Sequence, residues 1–202
     1  MSQDVVNMVM GMRRNHWYTQ LILQCAPVLT GIKVSNLLII QKRELTELKQ
    51  LLLGTVISTY ILGVHGDKVA VLLYRQQELS DYLNDETVVE MLHRLGYENQ
   101  DILFVLEELA IRYQQYMENR YHFPHEMGFV LGYPISDVIG FMEHEGENYL
   151  YKGYWKVYGN VAEAVAQFEA YNHARELLIR MVYYGANILD VLHEVQRLEA
   201  VN

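Results

Sequence analysis

The sequence predicts an α+β fold in which a small antiparallel sheet of about three strands is backed by helices, with a mainly helical C-terminal half. Three β-rich runs, 31–41, 55–64 and 68–75, all lie in the first half of the chain. From residue 76 onward, apolar residues mostly recur at the three- and four-residue spacings of helices. Strands and helices that are segregated along the chain are typical of the α+β class, whereas a doubly wound parallel sheet alternates them.

The first predicted element is a helix over residues 3–24. Apolar side chains recur at i, i+3, i+4 and i+7 from Val5, which gives this segment one apolar face. Pro27 is expected to end the helix, because a proline disfavours the helical conformation in the residue before it.

Three strands and one helix are predicted between residues 31 and 75. The run 31–41 is short and β-rich, and helical spacing returns over residues 42–54. The runs 55–64 and 68–75 flank the turn sequence His65-Gly66-Asp67, which predicts a β-hairpin. Both runs are almost continuously apolar, so their strands are expected to be well buried.

Helices are predicted for most of the second half. Asp85 and Gly96 bracket one of them in the order expected of an N-cap and a C-terminal glycine. Asn160 and Glu163 predict the start of a long helix, because an N-cap asparagine with a glutamate three residues later resembles a capping box. The predicted helices span residues 76–84, 85–96, 99–120, 161–184 and 187–201.

Composition is that of a globular protein and argues against two kinds of partner. Of the 202 residues, 51% are hydrophobic and 20% are charged, and the net charge is -9. Nucleic acid repels an acidic protein that lacks a basic patch, and the pairs Arg13-Arg14 and Lys42-Arg43 are too short to form one. No apolar run reaches the roughly 20 residues of a membrane span. We therefore expect neither nucleic-acid binding nor membrane binding.

The N-terminal residues and the cysteine content favour a cytoplasmic protein. Asp4 precedes the first apolar residues and the arginines follow them, which is the wrong order for a signal peptide. Cys25 is the single cysteine, so an internal disulfide and a multi-cysteine metal site are excluded. A reducing, cytoplasmic setting is the simplest interpretation.

Three stretches of the chain resemble one protein family. They are CAPVLTGIKVSNL at 25–37, FPHEMGFVLGYPISDVIGF at 123–141 and GYWKVYGN at 153–160. In this order they resemble an uncharacterised family of bacterial proteins, found chiefly in anaerobes and known only as a domain of unknown function. The resemblance spans roughly residues 10–171 and implies a cytoplasmic single-domain protein, without an activity or catalytic roles.

The chain departs from that family pattern at two places. Family members tend to carry cysteines shortly before GYWKVY, where this chain has Tyr149, Leu150 and Tyr151. A histidine often precedes their CAP element, where this chain has Gln24. These departures argue against a cysteine-based metal role in this protein.

A compact group of potential metal ligands lies at the start of the FPHE stretch. His122, His125 and Glu126 fall within five positions, and His144 is a further candidate ligand. Three converging protein ligands with an open position would suit a metal ion. The favoured alternative is structural: Pro124 begins a short helix, with His122 before it and His125 just inside it.

Cys25 is the second candidate site. As a thiolate it would be a nucleophile, with His125 and Glu126 as its partners in a redox protein or a thiol-dependent enzyme. A lone cysteine is more often a small buried hydrophobe, and the C-terminal end of a predicted helix disfavours a thiolate. The sequence leaves both interpretations open.

Aromatic residues form the third candidate site. Segment 148–159 is rich in tyrosine and tryptophan, which suits either a wall for a flat ligand, such as a flavin, a haem or a sugar, or packing over helices. Neither GxGxxG nor GxxxxGK[ST] occurs, so a nucleotide cofactor held by a glycine-rich loop is not expected. The predicted ligand-binding residues are Tyr133, Tyr149, Tyr154, Trp155, Lys156 and Tyr158.

Two classes of function follow from these candidates. The first is a non-catalytic cytoplasmic binding or regulatory protein, which holds a small molecule or a protein partner with the FPHE helices and the GYWKVY segment. The second is a metal or redox protein, or a thiol-dependent enzyme, that uses Cys25 with His125 and Glu126. The first class is favoured, because no catalytic set is complete at a recognisable spacing.

The domain prediction is one α+β domain over residues 1–172, with residues 173–202 as a helical extension. Apolar residues of the last helix recur at alternating spacings of three and four. This stripe predicts a helix that packs on the domain or lies at a homodimer contact.

Overall fold

The computed structural model describes residues 2–12 and 17–199, with backbone only at 194–199. It confirms the α+β class and divides the chain into two compact units, residues 1–76 with 170–202 and residues 77–169. The elements of the first half are α1 (Gln3–Gly11), α2 (Trp17–Leu29), β1 (Ser35–Gln41), α3 (Leu45–Leu52), β2 (Ile57–His65) and β3 (Lys68–Arg75), with a 3-10 helix at Lys42–Glu44. Those of the second half are α4 (Gln76–Leu83), α5 (Glu86–Arg94), α6 (Ile102–Met117), α7 (Met127–Val130), α8 (Ile135–Glu143), β4 (Tyr151–Lys152), β5 (Lys156–Val157), α9 (Val161–Tyr183) and α10 (Ile188–Glu199).

The first unit contains an antiparallel sheet of strand order β1-β3-β2. The predicted hairpin is confirmed, and its turn contains Gly66 at φ +55°, a left-handed conformation that glycine adopts without strain. The central strand β3 is buried at every position after Lys68, as its apolar run predicts. Strand β2 is only partly buried, because it lies at the edge of the sheet and has a neighbour on one side only.

The predicted end of the first helix at Pro27 is wrong. Pro27 lies inside α2, which continues to Leu29. The amide oxygen of Asn36, in β1, accepts a hydrogen bond from the N–H of Val28 at 3.3 Å, and the buried side of α2 packs on the sheet. These tertiary contacts stabilise the turn that the proline disfavours. Of the predicted helix 3–24, residues 13–16 lie outside the described residues, and the helical segments on either side are α1 and α2.

The core of the first unit lies between the helices and one face of the sheet. Each fully buried aliphatic side chain contributes about 1.5–3 kcal/mol of hydrophobic stabilisation. Residues from α9 and α10 belong to this core, including Leu178, Ile179, Val191 and Leu192. Part of the proposed extension 173–202 therefore packs in the first unit. The domain boundary at residue 172 and a homodimer contact stay predictions.

The second unit consists of helices with a two-stranded hairpin, β4–β5. The predicted caps are confirmed: Asp85 accepts from the N–H of Thr87 at 2.8 Å, and Asn160 accepts from the N–H of Glu163 at 3.2 Å. Each carboxylate or amide oxygen satisfies an N–H group that the first turn of its helix leaves unpaired.

The predicted helix start at Pro124 is wrong. Residues 124–126 form a turn in which the N–H of Met127 donates to the carbonyl of Pro124 at 3.1 Å, and helix α7 begins at Met127. His125 therefore lies before the helix, as His122 does. The proline supplies a turn here, since its fixed φ suits the start of a turn as well as that of a helix.

Candidate functional site

A pocket of about 540 Å³ lies in the second unit. Its walls come from the FPHE stretch, from α8 and from the β4–β5 hairpin, and most of its lining is aromatic or aliphatic. Small-molecule sites in proteins fall between about 300 and 1,000 Å³ and are mostly apolar. The lining residues are Phe123, His125, Met127, Gly128, Leu131, Tyr133, Asp137, Val138, Phe141, Lys152, Gly153, Tyr154, Trp155 and Lys156.

Two glycines set the close packing of the α7–α8 wall. A Cβ atom on Gly128 would lie 2.9 Å from a methyl group of Val138, so α7 and α8 touch only because this position has no side chain. A Cβ atom on Gly140 would lie 2.6 Å from the Tyr158 side chain. Both distances are shorter than a van der Waals contact, so neither position accepts a side chain unless its neighbour moves.

Asp137 anchors the GYWKVYGN segment to the first turn of α8. Its Oδ1 accepts hydrogen bonds from the N–H groups of Tyr158 and Gly159, each at 2.8 Å. Its Oδ2 accepts from Nε1 of Trp155 at 2.6 Å. The side chain is 4% exposed, so these three donors replace the water that a carboxylate otherwise requires.

Trp155 forms a fixed aromatic wall. Its ring stacks on Tyr133 at 5.0 Å between centroids and 27° between planes, and meets Phe168 edge-on at 4.5 Å. The hydroxyl of Tyr82 donates to the carbonyl of Tyr133 and so holds the stacking partner. Gly153 permits this arrangement, because a Cβ atom there would lie 2.1 Å from the Phe168 ring.

Two lysines complete the lining. Lys152 is exposed, while Lys156 is half-buried. The Nζ atom of Lys156 donates to the carbonyl of Gly146 and lies 4.9 Å from the Tyr149 ring centroid and 5.6 Å from that of Phe141. These cation–π contacts hold the ammonium group at the pocket.

Four of the six predicted ligand-binding residues line the pocket: Tyr133, Tyr154, Trp155 and Lys156. The other two, Tyr149 and Tyr158, are not among the lining residues. Tyr149 contacts the ammonium group of Lys156, and Tyr158 stacks on His144 at 5.6 Å between ring centroids. The Tyr158 hydroxyl is buried and has no hydrogen-bond partner among the described residues.

The carboxylate of Glu126 is bound by side chains from outside the FPHE stretch. Its Oε1 accepts from the hydroxyl of Tyr97 at 3.1 Å and from Nη1 of Arg112 at 3.0 Å, and the residue is 5% exposed. Burial and the adjacent Glu126 raise the pKa of Tyr97, which keeps its hydroxyl a donor. Glu126 is therefore the centre of a structural ion pair.

The predicted metal ligands do not converge. The exposed ring of His125 lies against Phe141, at 5.0 Å between centroids, and His144 lies against Tyr158. Among the side chains described for residues 2–12 and 17–193, no three from His, Cys, Asp or Glu are grouped so that they could hold a metal ion. Glu126 is hydrogen-bonded to Tyr97 and Arg112, and the rings of His125 and His144 pack on different aromatic residues.

Cys25 is fully buried in the core of the first unit, whereas His125 and Glu126 belong to the second. Its Sγ lies 4.0 Å from the carbonyl oxygen of Leu37. Burial raises the pKa of the Cys25 thiol, so the reactive thiolate is disfavoured. The structure thus favours the interpretation of Cys25 as a small core residue.

Sequence reasoning missed Asp137. An acidic residue in the first turn of a helix is common, because it complements the positive helix end, and this makes Asp137 unremarkable in the sequence. Its partners Trp155, Tyr158 and Gly159 lie 18 to 22 positions further along the chain. The tryptophan, which carries a buried N–H donor that requires an acceptor, was the available signal.

Fold and site together define an α+β protein with a preformed aromatic pocket in its helical unit. The chain belongs to the family described as "Protein of unknown function (DUF3793)", whose model matches residues 21–192. This confirms the resemblance seen in the three sequence stretches. No curated protein and no solved structure matches the chain. Of the described helices, none combines the length and the apolar character needed to cross a membrane.

Proposed function

We propose that this protein is a cytoplasmic, non-catalytic binding protein that holds a small apolar ligand in the pocket of its second unit. The observation that carries the proposal is a pocket of about 540 Å³ with a largely aromatic and aliphatic lining. Its volume and lining are those of protein sites for small molecules.

The rigidity of the walls supports binding. The glycine contacts at Gly128 and Gly140 and the three hydrogen bonds to Asp137 fix the positions of α7, α8 and the GYWKVYGN segment. A site that is already ordered loses little conformational freedom when a ligand enters, so more of the contact energy becomes affinity.

The roles of the polar groups favour binding over catalysis. Catalysis by a nucleophile requires a base within hydrogen-bonding reach of it. Asp137 is occupied by three structural donors, Glu126 by Tyr97 and Arg112, and Cys25 is sealed in the other unit's core. Of the candidates that the sequence offered for catalysis, Cys25 and Glu126 therefore favour a structural role, and His125 is left without a nucleophile beside it.

Native mass spectrometry of the freshly purified protein, beside its denatured mass, tests the proposal. We expect an additional mass of roughly a few hundred daltons that is lost on denaturation, the size of ligand that fits such a pocket. The variant Leu131→Trp places a large ring in the pocket lining and should lose the additional mass. Leu103→Trp, at a 57% exposed position of α6 outside the pocket, is the matched control and should retain it.

Two results would overturn the proposal. Retention of the same mass by Leu131→Trp would place the ligand elsewhere. A wild-type protein that carries only its chain mass would argue for a protein partner in place of a small molecule.

A further inference from the structure

The basic side chains of the second unit divide into two groups. Acidic residues far outnumber basic ones between residues 77 and 169, where the basic residues are three arginines and two lysines. Each arginine forms an ion pair with a glutamate, in the pairs Arg94–Glu90, Arg112–Glu126 and Arg120–Glu118. Both lysines, Lys152 and Lys156, line the pocket. The arginine charges are offset by their neighbours, whereas the lysine charges are collected at one site.

The two lysines retain donors for a ligand. An ammonium group has three N–H donors. Lys156 uses one on the carbonyl of Gly146, and the ammonium group of Lys152 forms no hydrogen bond or ion pair with any residue in the described part of the chain. The pocket therefore offers several unused cationic donors.

The negative charge of Asp137 does not oppose an anion strongly. Asp137 is the one acid among the described lining residues, and it is 4% exposed. Three neutral N–H groups already donate to its two oxygens and stabilise its charge, and two lysines of the lining stand against this one carboxylate. The other lining residues that carry ring nitrogens or hydroxyls are His125, Tyr133, Tyr154 and Trp155, and none of them has a carboxylate.

We infer that the ligand is a flat apolar molecule with one carboxylate-like anionic group, which Lys152 and Lys156 bind while the aromatic walls hold its rings. This inference rests on the proposed function. The stacked pair of Trp155 and Tyr133 and the ring of Phe141 supply flat apolar surfaces. A neutral ligand would leave the remaining ammonium donors of the two lysines without a charged acceptor, and a cationic ligand would be repelled by them.

Isothermal titration calorimetry with three matched ligands tests the inference. The ligands are 2-naphthoate, its neutral analogue 2-naphthamide and the cation 2-naphthylmethylammonium, added to protein from which any retained ligand has been removed. We expect wild-type protein to bind the naphthoate at least tenfold more tightly than the amide and the ammonium compound more weakly still.

The double variant Lys152→Met, Lys156→Met keeps the apolar stems and removes both charges. We expect its affinity for naphthoate to fall about tenfold, to the level of the amide, with the amide unchanged. The matched control is Arg94→Met, Arg120→Met, which removes the same charge from exposed positions of the same unit. It should keep the preference for naphthoate. This result would show that the lysines act by contacting the ligand and not by changing the net charge of the protein.

The outcomes separate this inference from the proposed function. Equal binding of naphthoate and naphthamide by the wild-type protein would overturn the anion inference and leave the pocket intact. A naphthoate preference that survives the lysine substitutions would also overturn it. Failure of all three ligands to bind would overturn it as well, and the native mass spectrum would then show independently whether the proposed function fails with it.

Discussion

The two units of this protein bury polar groups in different ways. In the first unit, Lys33 and Cys25 are 6% and 0% exposed, Nζ of Lys33 donates to the carbonyl of Ser35, and Sγ of Cys25 lies 4.0 Å from the carbonyl oxygen of Leu37. Burial lowers the pKa of Lys33 to about 7 and raises that of the Cys25 thiol, so both groups favour the neutral form. In the second unit, Asp137 and Glu126 are as deeply buried, but each accepts hydrogen bonds from at least two donors.

The difference shows what each unit contributes. Polar groups sealed in an apolar core add little to recognition, because no ligand reaches them. Carboxylates with complete sets of donors act as anchors, and Asp137 anchors a wall of the pocket. The buried polar groups of the first unit therefore bear on stability alone, whereas those of the second unit stabilise the fold and Asp137 also fixes a wall of the pocket. This contrast can be tested residue by residue.

The largest expected effect on this contrast is that of Asp137→Ala. It would leave three buried N–H groups without an acceptor, and we expect the free energy of unfolding to fall by about 3–5 kcal/mol. Asp137→Asn keeps one amide oxygen as acceptor and should cost about 1–2 kcal/mol. Urea denaturation followed by tryptophan fluorescence measures both. A loss below about 1 kcal/mol for the alanine variant would show that Asp137 is not an anchor.

The next effect concerns the Glu126 ion pair. Glu126→Ala removes a buried acceptor from Tyr97 and Arg112, and we expect a loss of about 2–3 kcal/mol in the free energy of unfolding. Glu90→Ala is the matched control, because its pair with Arg94 is 62% exposed on the glutamate side and should contribute at most about 0.5 kcal/mol. Equal losses in the two variants, measured by urea denaturation, would contradict the anchor role of Glu126.

The buried amine of Lys33 predicts a pH dependence of stability in the first unit. Between the folded pKa of about 7 and the ordinary value of 10.5, the unfolded lysine holds a proton that the folded one has lost. Stability therefore rises with pH in this window, by about 2 kcal/mol between pH 6.5 and 8.5. Below pH 7 the folded amine must also be charged, so the cost of burial is largest there.

Lys33→Met removes the titrating group and should abolish this rise relative to wild type. Urea denaturation at several pH values measures the difference between the two proteins. Values above pH 8.5 are avoided, because the Cys25 thiol ionises in the unfolded chain near its ordinary pKa of 9.0 and then destabilises the folded state. A wild-type rise that persists unchanged in Lys33→Met would disprove the assignment.

The smallest expected effect is that of Cys25→Ala, at about 1 kcal/mol, because only one buried sulfur atom is removed. The accompanying measurement is the reaction of wild-type protein with a thiol reagent. Cys25 should react only in denaturant, since burial prevents access and disfavours the thiolate. Fast modification of the folded protein would support the alternative that Cys25 is the reactive thiol of a redox protein or a thiol-dependent enzyme.

Local sequence signals determined the segregated α+β organisation, the hairpin around Gly66 and the helix caps at Asp85 and Asn160. Each depends on residues that are close together in the chain, so hydrophobic periodicity and turn or cap residues suffice to predict it. The aromatic segment 148–159 was also visible, and it supplies part of the pocket lining.

Tertiary structure alone decided the points that depend on distant partners. Pro27 stays helical because Asn36 of the neighbouring strand accepts a hydrogen bond from α2. Glu126 accepts a hydrogen bond from Tyr97, 29 positions away, and so has a structural partner that the neighbouring histidines do not reveal. Asp137 anchors the pocket wall through Trp155, 18 positions away. A buried polar group takes the partner that folding brings within about 3 Å, and spacing along the chain does not encode that partner.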